Sequence, residues 1–234
     1  MNIDKKKIEE LVKEYTTVVK VVDRDAHNNN DRAYGGVVRS VKGKLQEYIT
    51  EEVIKLAWQS IGGDDERLEI NSKKFKIPIM KDYISELKDE EIKRYILSNI
   101  DDYYYKLSVD KQVFIDGKFV LGIECKAYTE NAMLKRILVD FKLLKTQFPH
   151  LKCYLFQQES QLGGDYSELN EKTFGSHATH TLLSYFKEVD LKIFTFLKGE
   201  RLVDKPIHKY FKPLESSQVE KAAKIIANEL REFI

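Results

Sequence analysis

The sequence predicts an α/β protein built on a mixed central β-sheet flanked by helices, and three observations lead there. Residues 107–128, LSVDKQVFIDGKFVLGIECKAY, read as two short strands rich in Val, Ile and Phe around Asp116-Gly117. That dipeptide favours a tight hairpin turn because Gly tolerates positive φ. A helical repeat follows, with Met133, Ile137, Leu138, Phe141 and Leu144 on its apolar side, and then an apolar run, LKCYLF, over 151–156. Strand, helix and strand within about 30 residues imply a right-handed crossover and a parallel pair beside the antiparallel hairpin. Further helical repeats near both ends of the chain supply the covering layers.

With 234 residues, 42% of them hydrophobic and 11% aromatic, the chain is long enough for one sizeable domain with a real core. Its 39 Lys and Arg nearly balance 38 Asp and Glu, leaving a net charge of +1. No global field draws it to nucleic acid, so such affinity has to come from a local basic cleft. Cys125 and Cys153 both fall in apolar strands, which argues for reduced core thiols and a cytoplasmic compartment. The opening MNIDKKKIEE lacks the apolar run of a signal peptide, and no window approaches the ~18 consecutive apolar residues of a membrane span.

In chain order, Asp4 caps a first helix whose apolar positions run from Ile8 to Val22. The polar run 23–36, DRDAHNNNDRAYGG, has no periodicity and reads as a loop, either a solvated connector or an arm ordered by a ligand. A second helix is expected over 40–60, with Leu45, Tyr48, Ile49, Val53, Leu56 and Ala57 buried and Gly62-Gly63 as its stop. Residues 74–79 form a brief strand that Pro78 assigns to an edge, and 82–100 show helical spacing. Tyr103, Tyr104 and Tyr105 read as core packing, with a run facing nucleic acid as the alternative. Thr129 is the expected cap of the helix after the hairpin. Beyond the strand at 151–156, the polar segment 157–180 leads to a short helix ending near Phe186 and a strand over 189–197. A basic connector, 198–215, with Lys198, Arg201, Lys205, His208, Lys209 and Lys212, reads as a solvated charge run or as groups that neutralise phosphates, and precedes a helix opened by the capping box Ser217-Gln218-Val219-Glu220. That last helix reads as packing, with a dimer interface as a second use.

The hairpin carries the chemistry. Alternation puts Glu124 and Lys126 on one face of the second strand, with Ile123, Cys125 and Ala127 on the other. Neither charge is cheaply buried unpaired. Asp116 sits at the tip, roughly 20 Å away at about 3.3 Å per residue, and is a turn residue. Asp110 lies where the first strand folds back beside Glu124. A strict two-residue loop would pair Asp110 with Ile123 on the wrong face, so a three-residue loop over 116–118 with a bulge is expected. Two carboxylates converging near a lysine suit a hard divalent cation such as Mg²⁺, with phosphate as its natural counterpart. An ordinary hairpin with a surface salt bridge is the plain alternative.

Asp110, thirteen residues, then Glu124-Cys125-Lys126 on a hairpin resembles the PD-(D/E)xK nuclease core, and its surroundings resemble type II restriction endonucleases. Val109 departs from the family's frequent Pro, which is not a ligand. The resemblance implies a restriction-endonuclease-like fold and Mg²⁺-dependent, sequence-specific hydrolysis of double-stranded DNA by a homodimer in a restriction-modification pairing. Asp110, Glu124 and Lys126 would be catalytic, with Asp110, Glu124 and the Cys125 carbonyl on the metal. It also implies a Glu from a preceding helix near the metal; Glu47 fits that element, or is a solvated partner of nearby lysines.

On this reading the whole chain is one nuclease domain. Residues 1–100 are its mainly helical N-terminal part, 101–197 the catalytic core sheet, and 198–234 the basic connector and last helix. DNA contacts are expected from Thr129, Asn131, Lys135 and Arg136 at the head of the helix after the hairpin. Others are expected from Ser160, Gln161, Ser176, His177 and Thr179 in 157–180, whose amides and hydroxyls can bond base edges; a plain surface loop is the alternative. His177 and His180 lack the neighbouring ligands of a zinc site. Two rival readings remain: a structure-selective nuclease of resolvase or repair type, and a non-catalytic DNA-binding module on the same scaffold.

Overall fold

The computed structural model describes residues 2–27, 32–168, 173–201 and 211–234. Two long helices open the chain, α1 (Lys5–His27) and α2 (Arg32–Ser60), followed by strands β1 (Leu68–Asn71) and β2 (Phe75–Pro78). Short helices α3 (Lys81–Glu86) and α4 (Glu90–Ser98) lead to β3 (Tyr104–Leu107) and the hairpin β4 (Lys111–Ile115) and β5 (Lys118–Thr129). Then come α5 (Asn131–Gln147), β6 (Lys152–Ser160), α6 (His177–Tyr185), β7 (Lys192–Thr195) and α7 (Ser216–Leu230).

The central sheet has strand order β1-β4-β5-β6-β7. Its β1, β4 and β5 run antiparallel, while β5, β6 and β7 are parallel, so the sheet is mixed as the sequence predicted. Parallel strands need both faces covered. One face, with Ile123, Cys125, Tyr154, Phe156 and Phe194, packs on α1, α2 and α7. The other, with Phe119, Cys153, Leu155 and Ile193, packs on α5. The alternation Cys153-Tyr154-Leu155-Phe156 thus feeds two cores from one strand. β2 and β3 form a separate two-stranded sheet, which gives Pro78 the edge position expected of it.

Several boundaries differ from the sequence reading. Asp4 caps α1 through Oδ1, which accepts from the Lys6 and Lys7 amides, but the helix continues to His27, and α2 begins at Arg32. The expected loop 23–36 is therefore helical at both ends, and its centre lies outside the described residues. Asp23 is buried because Lys42 of α2 meets it at 2.8 Å, a partner that a polar run does not reveal. Tyr48 turns to the surface and bonds Glu14, while Gln46, Thr50 and Trp58 join the buried face of α2. The helical spacing over 82–100 resolves into α3 and α4, with Tyr83, Ile92 and Tyr95 exposed. Tyr105 is exposed too, and Tyr104 lies under Lys76, so the tyrosine run is not core. Glu130, not Thr129, occupies the N-cap of α5, because β5 runs on through Thr129. Likewise β6 extends to Ser160, taking four residues from the expected polar loop.

The last helix starts at Ser216, and the Ser217 hydroxyl bonds Glu215 instead of closing a capping box. Val219, Ala222, Ala223, Ile226, Ala227 and Leu230 are fully buried against the N-terminal helices and the sheet. That burial gives the apolar side of α7 to packing within the chain. Among the described residues no helix is long and apolar enough to cross a membrane.

Candidate active site

The hairpin turn is a two-residue loop, not three: Ile115 pairs with Lys118, and Asp116 and Gly117 both take positive φ, 50° and 74°. Such a turn matches the twist of its strands. The expected bulge is present one step further on. Phe114 pairs with Phe119 but Val113 with Leu121, which leaves Val120 as the extra residue. Lys111 then lies opposite Ile123, so Asp110 comes level with Glu124. The strand bulge therefore does what the longer loop was expected to do.

Lys126 Nζ donates to Asp110 Oδ2 at 2.9 Å, to Glu124 Oε1 at 2.6 Å and to the Cys125 carbonyl at 3.1 Å. Asp110 Oδ2 also accepts from the Cys125 amide at 2.8 Å, which fixes the carboxylate against β5. Burial raises the pKa of Glu124 above the ordinary carboxylate value, and Asp110 adds to the rise, against the pull of Lys126. Burial also works against the charge of Lys126, but Glu124 and Asp110 outweigh it and raise its pKa, so it stands as an ammonium. The Cys125 thiol points the other way, to Thr50 Oγ1 at 3.3 Å, and burial raises its pKa. It is a core group, and only the carbonyl of Cys125 faces the cluster.

Helix α2 forms the opposite wall. Glu51 takes Lys111 at 2.8 Å and Lys55 at 2.9 Å, pinning the helix to the start of β4. One turn earlier, the pKa of Glu47 is raised by its own burial and by the charge of Asp110, against Lys111, Lys126 and Lys44. That Asp110 acts on Glu47 places the Glu47 carboxylate within the field of the cluster. Between these walls opens a pocket of about 280 Å³, lined by Arg39, Lys44 and Glu47 of α2, Asp110, Lys126 and Tyr128 of the hairpin, and Met133 of α5. A larger hollow of about 500 Å³ lies at the other end of the hairpin, by Lys118, His150, Lys152 and Phe233, and contains none of the three clustered residues.

Two carboxylate oxygens and a carbonyl oxygen thus converge on one cationic atom. The donor set is hard and oxygen-only, the kind that a hard divalent cation such as Mg²⁺ prefers. Among the described residues no three His, Cys, Asp or Glu side chains close a ready-made cage. An open site of this kind suits a metal that keeps several waters and shares phosphate oxygens.

The expected DNA contacts divide by burial. Lys135, Arg136 and His177 are exposed, with Arg136 3.7 Å from Asp140. Gln161 is half-buried and accepts from Arg201 at 3.3 Å. Thr129, Ser160 and Thr179 are buried completely, which takes them away from any DNA edge. Thr179 bonds Asn131 and the Leu162 carbonyl, each at 2.8 Å, and Ser176 bonds both Asn131 and Thr179. These residues stitch α6 to the head of α5; they form a structural cluster. Arg39 and Tyr128 were missed, Arg39 because α2 begins earlier than its apolar stripe suggests, and Lys44, although inside the expected helix, was not assigned to the site.

A mixed five-stranded sheet between helices, with this cluster where its antiparallel and parallel halves meet, is a restriction-endonuclease-like core. The chain is 56% identical over 232 residues, 97% of its own length and 97% of the relative's, to the type II restriction enzyme DdeI of Desulfomicrobium norvegicum. It belongs to that family, the type II restriction enzymes. No protein-family model matches the chain.

Proposed function

We propose that the protein is a Mg²⁺-dependent type II restriction endonuclease that hydrolyses double-stranded DNA through a PD-(D/E)xK-type site at Asp110, Glu124 and Lys126. The observation that carries this is the convergence of Asp110, Glu124 and the Cys125 carbonyl on the Lys126 ammonium, at 2.9, 2.6 and 3.1 Å. Asp110, Glu124 and the Cys125 carbonyl, with Glu47 nearby, would hold a divalent cation, which would supply positive charge to a phosphate and an activated water. Lys126, whose ammonium lines the same pocket, would donate hydrogen bonds to the phosphate, where negative charge builds in the transition state. Burial keeps Glu124 and Lys126 partly out of water, which strengthens each of these interactions.

Asp110 stays fixed by the Cys125 amide, so its free oxygen keeps its aim without reorganisation. Cutting both strands at one site calls for two such centres, which a two-fold homodimer provides most simply. Of the expected DNA contacts, Lys135, Arg136, Gln161 and His177 keep accessible side chains and remain the candidates for phosphate and base contacts.

Digestion of a long phage genome with Mg²⁺ or with EDTA tests the proposal. Discrete bands that need Mg²⁺ are expected, and their ends give the recognised sequence. Asp110→Ala should remove cleavage with folding intact by circular dichroism. Lys126→Ala should lower kcat about 10²- to 10³-fold, as the loss of one preorganised donor does. Full activity of Asp110→Ala would overturn the site, and a smear or no cleavage with wild type would favour a structure-selective or non-catalytic protein. Sedimentation of the protein on a cognate duplex tests the homodimer.

A further inference from the structure

We propose that Arg39 and Arg201, both packed on the Tyr128 ring, hold a backbone phosphate of the DNA strand that enters the Asp110–Glu124–Lys126 pocket. The role is one of positioning, and it rests on the nuclease reading above. Arg39 comes from α2 and lines the pocket beside Lys44; its guanidinium lies 5.2 Å from the Tyr128 centroid. Arg201 reaches the same ring from beyond β7, at 3.8 Å. Its backbone amide is tied to the Ser160 carbonyl at 2.7 Å, and Nη1 donates to the neutral Gln161 amide at 3.3 Å. Tyr128 lies two residues after Lys126 on β5 and lines the same pocket, so the ring that carries both guanidinium groups sits at the edge of the cluster.

Cation–π packing accounts for where the two side chains rest, but not for their charge. Among the described residues neither arginine is ion-paired to a carboxylate, while Asp110 and Glu124 are already taken by Lys126. The Nε of Arg201 is buried with no hydrogen-bond partner. A guanidinium serving only the fold has its donors met. Here the fold engages Nη1 alone, so the group is held in place with its charge unspent. Two like charges packed on one ring that lines the pocket call for an anion. The planar fork of arginine matches a phosphate, and a strand threaded past the cluster presents phosphates at that position.

Fluorescence anisotropy tests the clamp directly. An Asp110→Ala parent, in EDTA, is titrated with a duplex carrying the recognised sequence and with an unrelated duplex over a series of KCl concentrations. Arg39→Ala and Arg201→Ala should each weaken both duplexes in parallel. Each should also make the slope of log K against log[KCl] shallower by about 0.9 for every phosphate that is no longer neutralised. Arg39→Lys and Arg201→Lys should restore the slope, since lysine keeps the charge. Arg39 is exposed, so its truncation leaves the fold alone and carries the test even where Arg201→Ala lowers the yield of folded protein. An unchanged slope in the alanine variants would reduce the arginines to packing and overturn the clamp. Weakening confined to the recognised duplex would make them base readers and overturn it equally. Were the Asp110→Ala parent to bind no duplex at all, the nuclease reading would fall and the clamp with it.

Discussion

At the scale of single residues, the site is a balance of charges that the fold holds at some cost. Glu47 shows it most simply. Its burial and the neighbouring Asp110 both disfavour its ionised form, so its pKa is raised. A carboxylate with a raised pKa in the folded state favours folding at low pH, and that contribution is lost as pH rises through the raised value. At neutral pH the charge on Glu47 therefore works against the fold. Glu47→Gln should raise the thermal midpoint in EDTA at neutral pH, with a gain that shrinks as pH is lowered and Glu47 takes up its own proton. The same variant should weaken Mg²⁺ binding, measured by calorimetry. A lower midpoint at neutral pH would show that Glu47 is instead a satisfied partner of the lysines around it. Asp110, Glu124 and Lys126 were legible in the sequence because strand alternation forces two charges onto one face of an apolar strand. Arg39 and Tyr128 were not. Arg39 sits in a stretch whose polarity hides a helix, and an aromatic at a strand end carries no mark of its cationic neighbours.

At the scale of elements, the hairpin was legible and its internal register only in outcome. The sequence demanded one extra residue to bring Asp110 level with Glu124, but alternation cannot say where a bulge falls. It fell at Val120, whose side chain joins the same core as Leu121, because two neighbouring apolar residues can both be buried there. The loop then stays at two residues, with Asp116 gripped by Arg67 through hydrogen bonds of 3.0 and 2.7 Å. Gly117 at φ 74° meets no atom that an added Cβ would strike, so only the backbone resists a side chain there. Gly117→Ala should cost about 1 kcal/mol in urea unfolding, the usual penalty of left-handed backbone in an L-residue. Cleavage per folded molecule should not change, because the tip lies at the far end of the hairpin from the cluster. A fall in kcat without loss of stability would mean that the turn, not the bulge, sets the register of Asp110. The run-on of β6 to Ser160 was illegible for a related reason. Gln157, Gln158, Glu159 and Ser160 look like loop, but Gln157 Nε2 donates to Thr195 Oγ1 and Gln158 Nε2 to the Lys42 carbonyl, partners on β7 and α2 that the run itself does not reveal.

At the scale of the molecule, the N-terminal helices and α7 cover one face of the sheet that carries the Asp110–Glu124–Lys126 cluster, and one half-buried carboxylate helps to hold α7 there. Glu229 accepts from Tyr154 of β6 at 2.5 Å and pairs with Lys192 of β7 at 2.6 Å and Lys152 at 2.9 Å. Burial opposes its charge, but the bonds from Lys192, Tyr154 and Lys152 outweigh burial and hold its pKa down to about 2. A depressed carboxylate contributes stability that is present above its unfolded value and lost as pH falls through its folded one. The window here runs from the ordinary carboxylate value, 4.5, down to about 2. Because solvent reaches part of the group, the contribution is about 1–2 kcal/mol and not the full equivalent of the shift. Glu229→Gln should lower stability by about that amount in urea at neutral pH. The gap to wild type should close steadily as pH drops through the window, because the wild-type carboxyl then loses the charge that glutamine never had. A gap that stays constant with pH would mean that the loss comes from packing or from the Tyr154 hydrogen bond alone. Cleavage by the folded variant should be unaffected, since Tyr154 belongs to the sheet face of Ile123 and Phe156, whereas Glu124 and Lys126 project from the other. Loss of cleavage with the fold intact would instead tie the seating of α7 to the alignment of Asp110 with Glu124.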